Sequence, residues 1–157
     1  MTVFEGQHTG PSLHVGLICS RFNEFIVTGL LDGAKRGLEK CGVSESNIDV
    51  VWVPGAYEIP LAARTMALSG RYDAMVALGA VIRGETAHFE YVAGPCAQGV
   101  AQVQLESGIP IGFAVLTTEN VEQAVARSGP DAGNKGEEAA IGAIEMVNVL
   151  NAIRNRN

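Results

Sequence analysis

The stretch Gly79-Ala80-Val81-Ile82-Arg83-Gly84-Glu85-Thr86-Ala87-His88-Phe89-Glu90-Tyr91 passes without a break from an apolar run into a polar turn. The run begins at Ala74 and ends at Ile82. It lacks the polar alternation of a half-exposed strand, so it predicts a strand covered on both faces, as in a parallel sheet. The turn holds Arg83, Glu85, Thr86 and His88 around Gly84, which places a cation, a carboxylate, a hydroxyl and a base where the strand stops. Ligands of open parallel sheets sit outside the carboxyl ends of the strands. This junction is therefore the first candidate for chemistry.

Working outward, three more apolar runs have strand length: His14–Cys19, Ile48–Val53 and Ile111–Leu116. Helical patterns separate them. Asn23 is placed to cap a helix whose apolar face is Ile26, Val27, Leu30, Leu31, Ala34 and Leu38, ended by Gly42. Pro60 suits the first turn of a helix running to about Ser69. A longer helix starts near His88 and runs to Gly108. Asn120 with Gln123 has the form of a capping box for a short helix ended by Gly129. The last helix spans about Asn134 to Asn151. Strands alternating with helices predict an α/β fold: a three-layer αβα sandwich around a four-stranded parallel sheet, flavodoxin-like, in one domain over residues 1–157. Residues 1–12 read as an extended N-terminal arm, in which Val3 and Phe4 are apolar enough to pair with another surface.

This order brings four polar groups to one edge of the sheet, because right-handed crossovers repeat. They are Ser20-Arg21-Phe22-Asn23, Pro54-Gly55-Ala56-Tyr57-Glu58, Arg83 through His88, and Thr117-Thr118-Glu119-Asn120. Helix N-termini point to the same edge and favour anions.

Composition narrows the function classes. Of the 157 residues, 47% are apolar and only 18% charged, a balance that points to buried subunit interfaces. The net charge of −6 without a Lys/Arg cluster argues against nucleic acid. No apolar run is long enough for a bilayer span, and no basic-then-apolar leader opens the sequence, so the expected compartment is the cytoplasm. Cys19, Cys41 and Cys96 are odd in number and form no CxxC, so they read as buried small side chains rather than a zinc site or disulfide framework.

Several residues carry two readings on position alone. His88 is either a general base or acid at the strand edge, or a solvent-exposed first residue of a helix. Arg127 is placed to end its helix as a stabilising C-terminal cation. Lys135, inside Ala132-Gly133-Asn134-Lys135-Gly136, opposes the helix dipole and so calls for another partner, such as an anion. It is not a P-loop lysine, since Gly136 rather than Ser or Thr follows it. Phe22 either stacks on a planar ligand or covers the core, and core is the better local reading. Glu58 stands at a helix N-terminus where a carboxylate is favoured anyway, and Glu85 reads as a solvated turn residue.

Taken in order, Arg21-Phe22-Asn23, VWVPGAYEIPLAA (Val51 to Ala63), GAVIRGETAHFEYV (Gly79 to Val92), LTTEN (Leu116 to Asn120) and AGNKG (Ala132 to Gly136) closely resemble the 6,7-dimethyl-8-ribityllumazine synthase family, from about Val15 to Ile153. The resemblance implies condensation of 5-amino-6-(D-ribitylamino)uracil with 3,4-dihydroxy-2-butanone 4-phosphate, releasing phosphate and water, with neither cofactor nor metal. It implies that Phe22 stacks on the pyrimidine and that Ala56, Tyr57 and Glu58 line the ring and ribityl chain. Ala80, Val81 and Ile82 would offer it backbone contacts. Glu85 and Thr86 would give amides to the phosphate and Arg127 a charge, while His88 shuttles protons. Phe113 would close the far side of the ring, and Lys135 would add positive charge. Ala126 departs from the Glu that many relatives carry before the matching arginine.

Phe113 lies at the start of its strand, on the opposite edge from the other groups. The resemblance resolves this by building each site between neighbours in a homopentamer, with Val3 and Phe4 pairing with the adjacent subunit. It further implies a 60-subunit icosahedral shell, since Ser128–Gly133 has no insertion, and association with riboflavin synthase. Three other functions stand beside it. A flavodoxin-type flavin-binding module would need a Ser/Thr-rich loop after the first strand. A purely structural shell protein is compatible with the enzyme reading. An archaeal-type riboflavin synthase would differ in its product.

Overall fold

The computed structural model describes residues 1–156; Asn157, the last residue of the expected domain, lies outside the described residues. Among the described residues, four strands and five α-helices follow in the order β1 (Val15–Ser20), α1 (Glu24–Lys40), β2 (Ile48–Val53), α2 (Ile59–Leu68), β3 (Ala74–Ile82), α3 (His88–Ser107), β4 (Ile111–Thr118), α4 (Val121–Ser128) and α5 (Lys135–Arg154). The strands form one parallel sheet in the order β2-β1-β3-β4. This is the expected three-layer α/β architecture. β3 has the predicted bounds, and all of it is buried except the half-buried Ile82.

Side chains of successive strand residues point to opposite faces, so each strand feeds two cores. Val15, Leu17 and Cys19 join Val76 and Leu78 under α1, α4 and α5. Ile18 joins Met75, Ala77 and Val115 under α2 and α3. Helices α1 and α5 approach closely because small residues meet there. A Cβ on Gly136 would stand 2.1 Å from the Leu30 carbonyl oxygen, and one on Gly33 would stand 2.0 Å from Asn134 Oδ1. Asn134 is 2% exposed and knits this junction. Its Oδ1 accepts from Glu137 N, and its Nδ2 donates to the carbonyls of Gly29 and Gly129 at 3.0 and 2.9 Å. One side chain thus caps α5 and ties it to α1 and to the end of α4.

Four boundaries differ from the sequence expectation. β1 starts at Val15, and the His14 N–H before it donates to a side chain, Asp73 Oδ2, at 2.8 Å. β4 continues through Thr117 and Thr118, which pair with Val81 and Ile82. α5 runs three residues past Asn151, to Arg154. Asn23 stands at the start of α1 but gives no side-chain cap. It adopts φ 62°, ψ 44°, the left-handed region that Asn tolerates better than most residues, and its Nδ2 donates to Ala80 O at 2.9 Å. The Asn120–Gln123 box is also modified. Asn120 Oδ1 accepts from Gln123 N, but Gln123 Oε1 reaches back to Glu119 N.

Within one chain, Val3 and Phe4 belong to no strand. The Arg156 guanidinium lies over the Phe4 ring, and the following residues run along α5, where Asn148 Nδ2 donates to the carbonyls of Gln7 and Thr9.

Candidate active site

The candidate residues fall into two separate clefts. The first has a volume of about 830 Å³ and opens at the carboxyl ends of β1, β2 and β3, on the α2/α3 side. Its position follows from the sheet order. Neighbouring strands whose connections leave in opposite directions open a crevice, and β1 and β3 are such a pair here. Arg21 N donates to Val53 O and Phe22 N to Pro54 O, so the β1–β2 ladder continues past both strands. That ladder holds the Phe22 backbone still while its ring stands 73% exposed at the cleft. The local reading that Phe22 covers the core does not hold: its ring is exposed at the mouth of the cleft.

Across from Phe22, residues Ala56–Glu58 form a turn of 3₁₀-helix that the sequence reading did not separate from α2. It buries Ala56 as a floor and projects Tyr57 and Glu58 into the cleft. The third wall is Ala80, Val81 and Ile82, followed by Gly84, Thr86 and His88. His88 is exposed at the first position of α3, and its N–H points to Thr86 Oγ1 at 3.4 Å. Tyr91, one turn further along α3 and 72% exposed, also faces this cleft and was missed in the sequence. An i to i+3 spacing from His88 on a helix was the signal that could have found it. Glu85 is exposed but does not line the cleft.

The second cleft, about 550 Å³, runs along the free edge of β4 against α5. Gly112 allows this closeness, since a Cβ there would meet Ala139 O at 2.4 Å. Phe113, 43% exposed, stands beside Arg127 and Lys135 in the lining. Arg127 does end its helix as expected, its Nη1 donating to Gln123 O at 2.9 Å, and it also presents its charge here. Lys135 has a partner the sequence did not supply: Nζ donates to Glu138 Oε2 at 3.0 Å, an exposed ion pair three residues along α5.

One chain therefore does not assemble the full set. Phe22, Ala56, Tyr57, Glu58, Ala80, Val81, Ile82, Thr86 and His88 line one cleft, while Phe113, Arg127 and Lys135 line the other. The group expected to hold phosphate is divided, with Thr86 on one side and Arg127 on the other. The first cleft is lined by aromatic rings and an imidazole; the second by two cations, Arg127 and Lys135, with Glu138 paired to the latter.

The polar turn contains one more constellation. Arg83 N donates to Thr118 O at 2.8 Å, its guanidinium pairs with Glu90 and with Glu119, and it lies 4.3 Å over the Phe89 ring. These two carboxylates hold the Arg83 guanidinium proton more tightly than usual, and the Arg83 hydrogen bond lowers the Glu90 carboxyl below its ordinary range.

A sequence model of the family described as 6,7-dimethyl-8-ribityllumazine synthase matches residues 12–151. A curated relative of that name from Edwardsiella ictaluri (strain 93-146) is 57% identical over 155 residues, covering 98% of this chain and 99% of the relative.

Proposed function

The chain belongs to the 6,7-dimethyl-8-ribityllumazine synthase family, and from that premise we propose how its two clefts divide the reaction. The enzyme joins 5-amino-6-(D-ribitylamino)uracil to 3,4-dihydroxy-2-butanone 4-phosphate in riboflavin biosynthesis. An amine attacks a ketone, water leaves to give an imine, phosphate is eliminated, and a second ring closes with loss of a second water. Every step moves a proton and none changes oxidation level overall. Two requirements follow. Both reactants must be held together, which alone can supply much of the rate, and one group must carry protons near neutral pH.

The first cleft meets the needs of the pyrimidine. Phe22 offers a free aromatic face for stacking, Glu58 a carboxylate for ribityl hydroxyls, and Ala80 to Ile82 strand-end backbone for the ring edge. His88 is its proton carrier, an imidazole exposed at the start of α3 and lining the same cleft. Thr86, with Glu85 beside it just outside the cleft, offers backbone amides at the α3 N-terminus to the phosphate. The second cleft brings what is lacking: Arg127 and Lys135 as cations for the phosphate, and Phe113 as the opposite face of the ring.

The single observation that carries this reading is the partition itself. Complementary halves on one chain call for a second copy whose Phe113 edge closes over the first copy's Phe22 edge. Such a head-to-tail contact uses different surfaces on the two partners and closes into a ring. A homopentamer is the ring the family resemblance implies, with Val3 and Phe4 reaching the neighbour and twelve such rings forming a 60-subunit shell. Buried free thiols at Cys19, Cys41 and Cys96 suit the cytoplasm, where thiols stay reduced. Light scattering tests the assembly. Expected is a mass of about 60 chains of 16.5 kDa. A mass near five chains keeps the ring and rejects the shell, and a fully active monomer rejects the shared site.

A further inference from the structure

We propose that Arg83 is the positioning residue for His88. This rests on the reading of His88 as the proton carrier. The first turn of α3 has no cap of its own. Ala87 occupies the N-cap position and its methyl group accepts nothing. The preceding turn is exposed from Gly84 to Ala87, and Thr86 gives His88 N only the long contact of 3.4 Å. An uncapped helix start after such a loop frays, and a proton carrier at its first position would move with it.

Arg83 supplies the missing constraint from the strand side. Its backbone is fixed by the extra ladder bond to Thr118 O, one step beyond the end of β3. From that anchor the guanidinium lies on the Phe89 ring and pairs with Glu90, the two residues that follow His88. Its Nε holds Glu119 at 2.9 Å, so the same planar group ties the α3 start to the β4–α4 loop. Glu119 is itself anchored, its N–H donating to Gln123 Oε1 on α4. A guanidinium suits this task because its fork addresses two carboxylates while its face stacks on a ring; an ammonium does one of these at a time. Arg83 does not line the cleft, so its effect on the reaction passes through His88.

A double-mutant cycle on the assembled enzyme tests this. Arg83→Met should lower kcat by about 10- to 100-fold while the KM for ribitylaminouracil, held by other elements, stays within about 2-fold. Arg83→Lys should recover part of the loss. In a His88→Ala background the same Arg83→Met change should cost less than about 2-fold, because there is no longer a base to misplace. Wild-type kcat in Arg83→Met, or a full additive loss in the His88→Ala background, overturns the proposal. Should Arg83→Met fail to fold, Glu90→Gln enters the same cycle with the same two outcomes. Wild-type turnover in His88→Ala alone removes the proton-carrier reading, and the positioning role with it. A large loss there joined to additivity removes the positioning role alone.

Discussion

The two clefts differ in how the chain builds them. The first is assembled from three consecutive strand ends and the turns after them, so its residues come in sequence clusters: Phe22, then Ala56–Glu58, then Ala80–His88. The second is assembled from the side of an edge strand and the helices packed beside it, so Phe113, Arg127 and Lys135 come singly and far apart. A cleft at strand ends is inherited from fold topology. A cleft at a sheet edge stays open to a neighbour, and an uncovered edge strand is a liability. On the first strand residue of that edge, Ile111, the N–H is already covered, donating to Gln104 Oε1 at 2.8 Å.

The contrast can be broken at either cleft. The largest effect is expected at His88. His88→Ala should lower turnover by roughly 10²-fold if proximity supplies most of the rate, and up to about 10⁴-fold if proton transfer limits it. Pyrimidine binding, measured separately by fluorescence titration, should barely change. Wild-type turnover would deny the first cleft its chemical role. Arg127→Ala comes next. Loss of a charged hydrogen bond costs about 1.5–3 kcal/mol, and that loss should appear in the KM for butanone phosphate alone. Equal weakening of both substrates, or of neither, would reduce Arg127 to a helix terminator.

The smallest effect is expected beneath the clefts, where the two sides are alike. Burial pushes the Cys19 thiol up to about 12, on the α1/α5 side, and the Cys96 thiol up to about 11, on the α2/α3 side, from an ordinary 9.0. A raised folded-state value means that the unfolded chain releases these protons first. Stability is therefore intact below pH 9.0 and declines as pH climbs from there towards about 12. Thermal unfolding scans across that window should show the decline, with a shallower slope for Cys19→Ala. A flat profile would mean that the thiols are not held dry.

The difference between the clefts also explains what could be read from the sequence. β3 was legible to the residue, because Ala74–Ile82 is buried on both faces and its composition says so. The turns of the first cleft were legible as a set because topology places every strand end on one edge. For Phe22, position alone favoured the core, and only the resemblance made it a stacking residue. Whether an aromatic residue covers a core or faces outward depends on what packs beside it, and the ladder contact with Pro54 that decides this is long-range. Asn23 was found as a helix start, but its bond to Ala80 O spans 57 residues and leaves no local pattern. Arg83 was legible as a turn cation, but not its pair of carboxylates: Glu119 reaches it only after β3 and β4 pair. Arg127 was read locally as a helix end, which it is, and its cleft appears only once α4 is placed against the edge of β4.

The shared site is tested most directly by mixing two disabled chains. His88→Ala leaves the second cleft intact, and Arg127→Ala leaves the first intact. Co-refolded in equal amounts and assayed at limiting butanone phosphate, they should form rings in which some junctions join two intact halves. Random mixing predicts roughly a quarter of wild-type lumazine formation, well above either parent alone. Activity no greater than the average of the two separate parents would contradict a site built between copies, and would require one chain to bring both clefts to the same substrate.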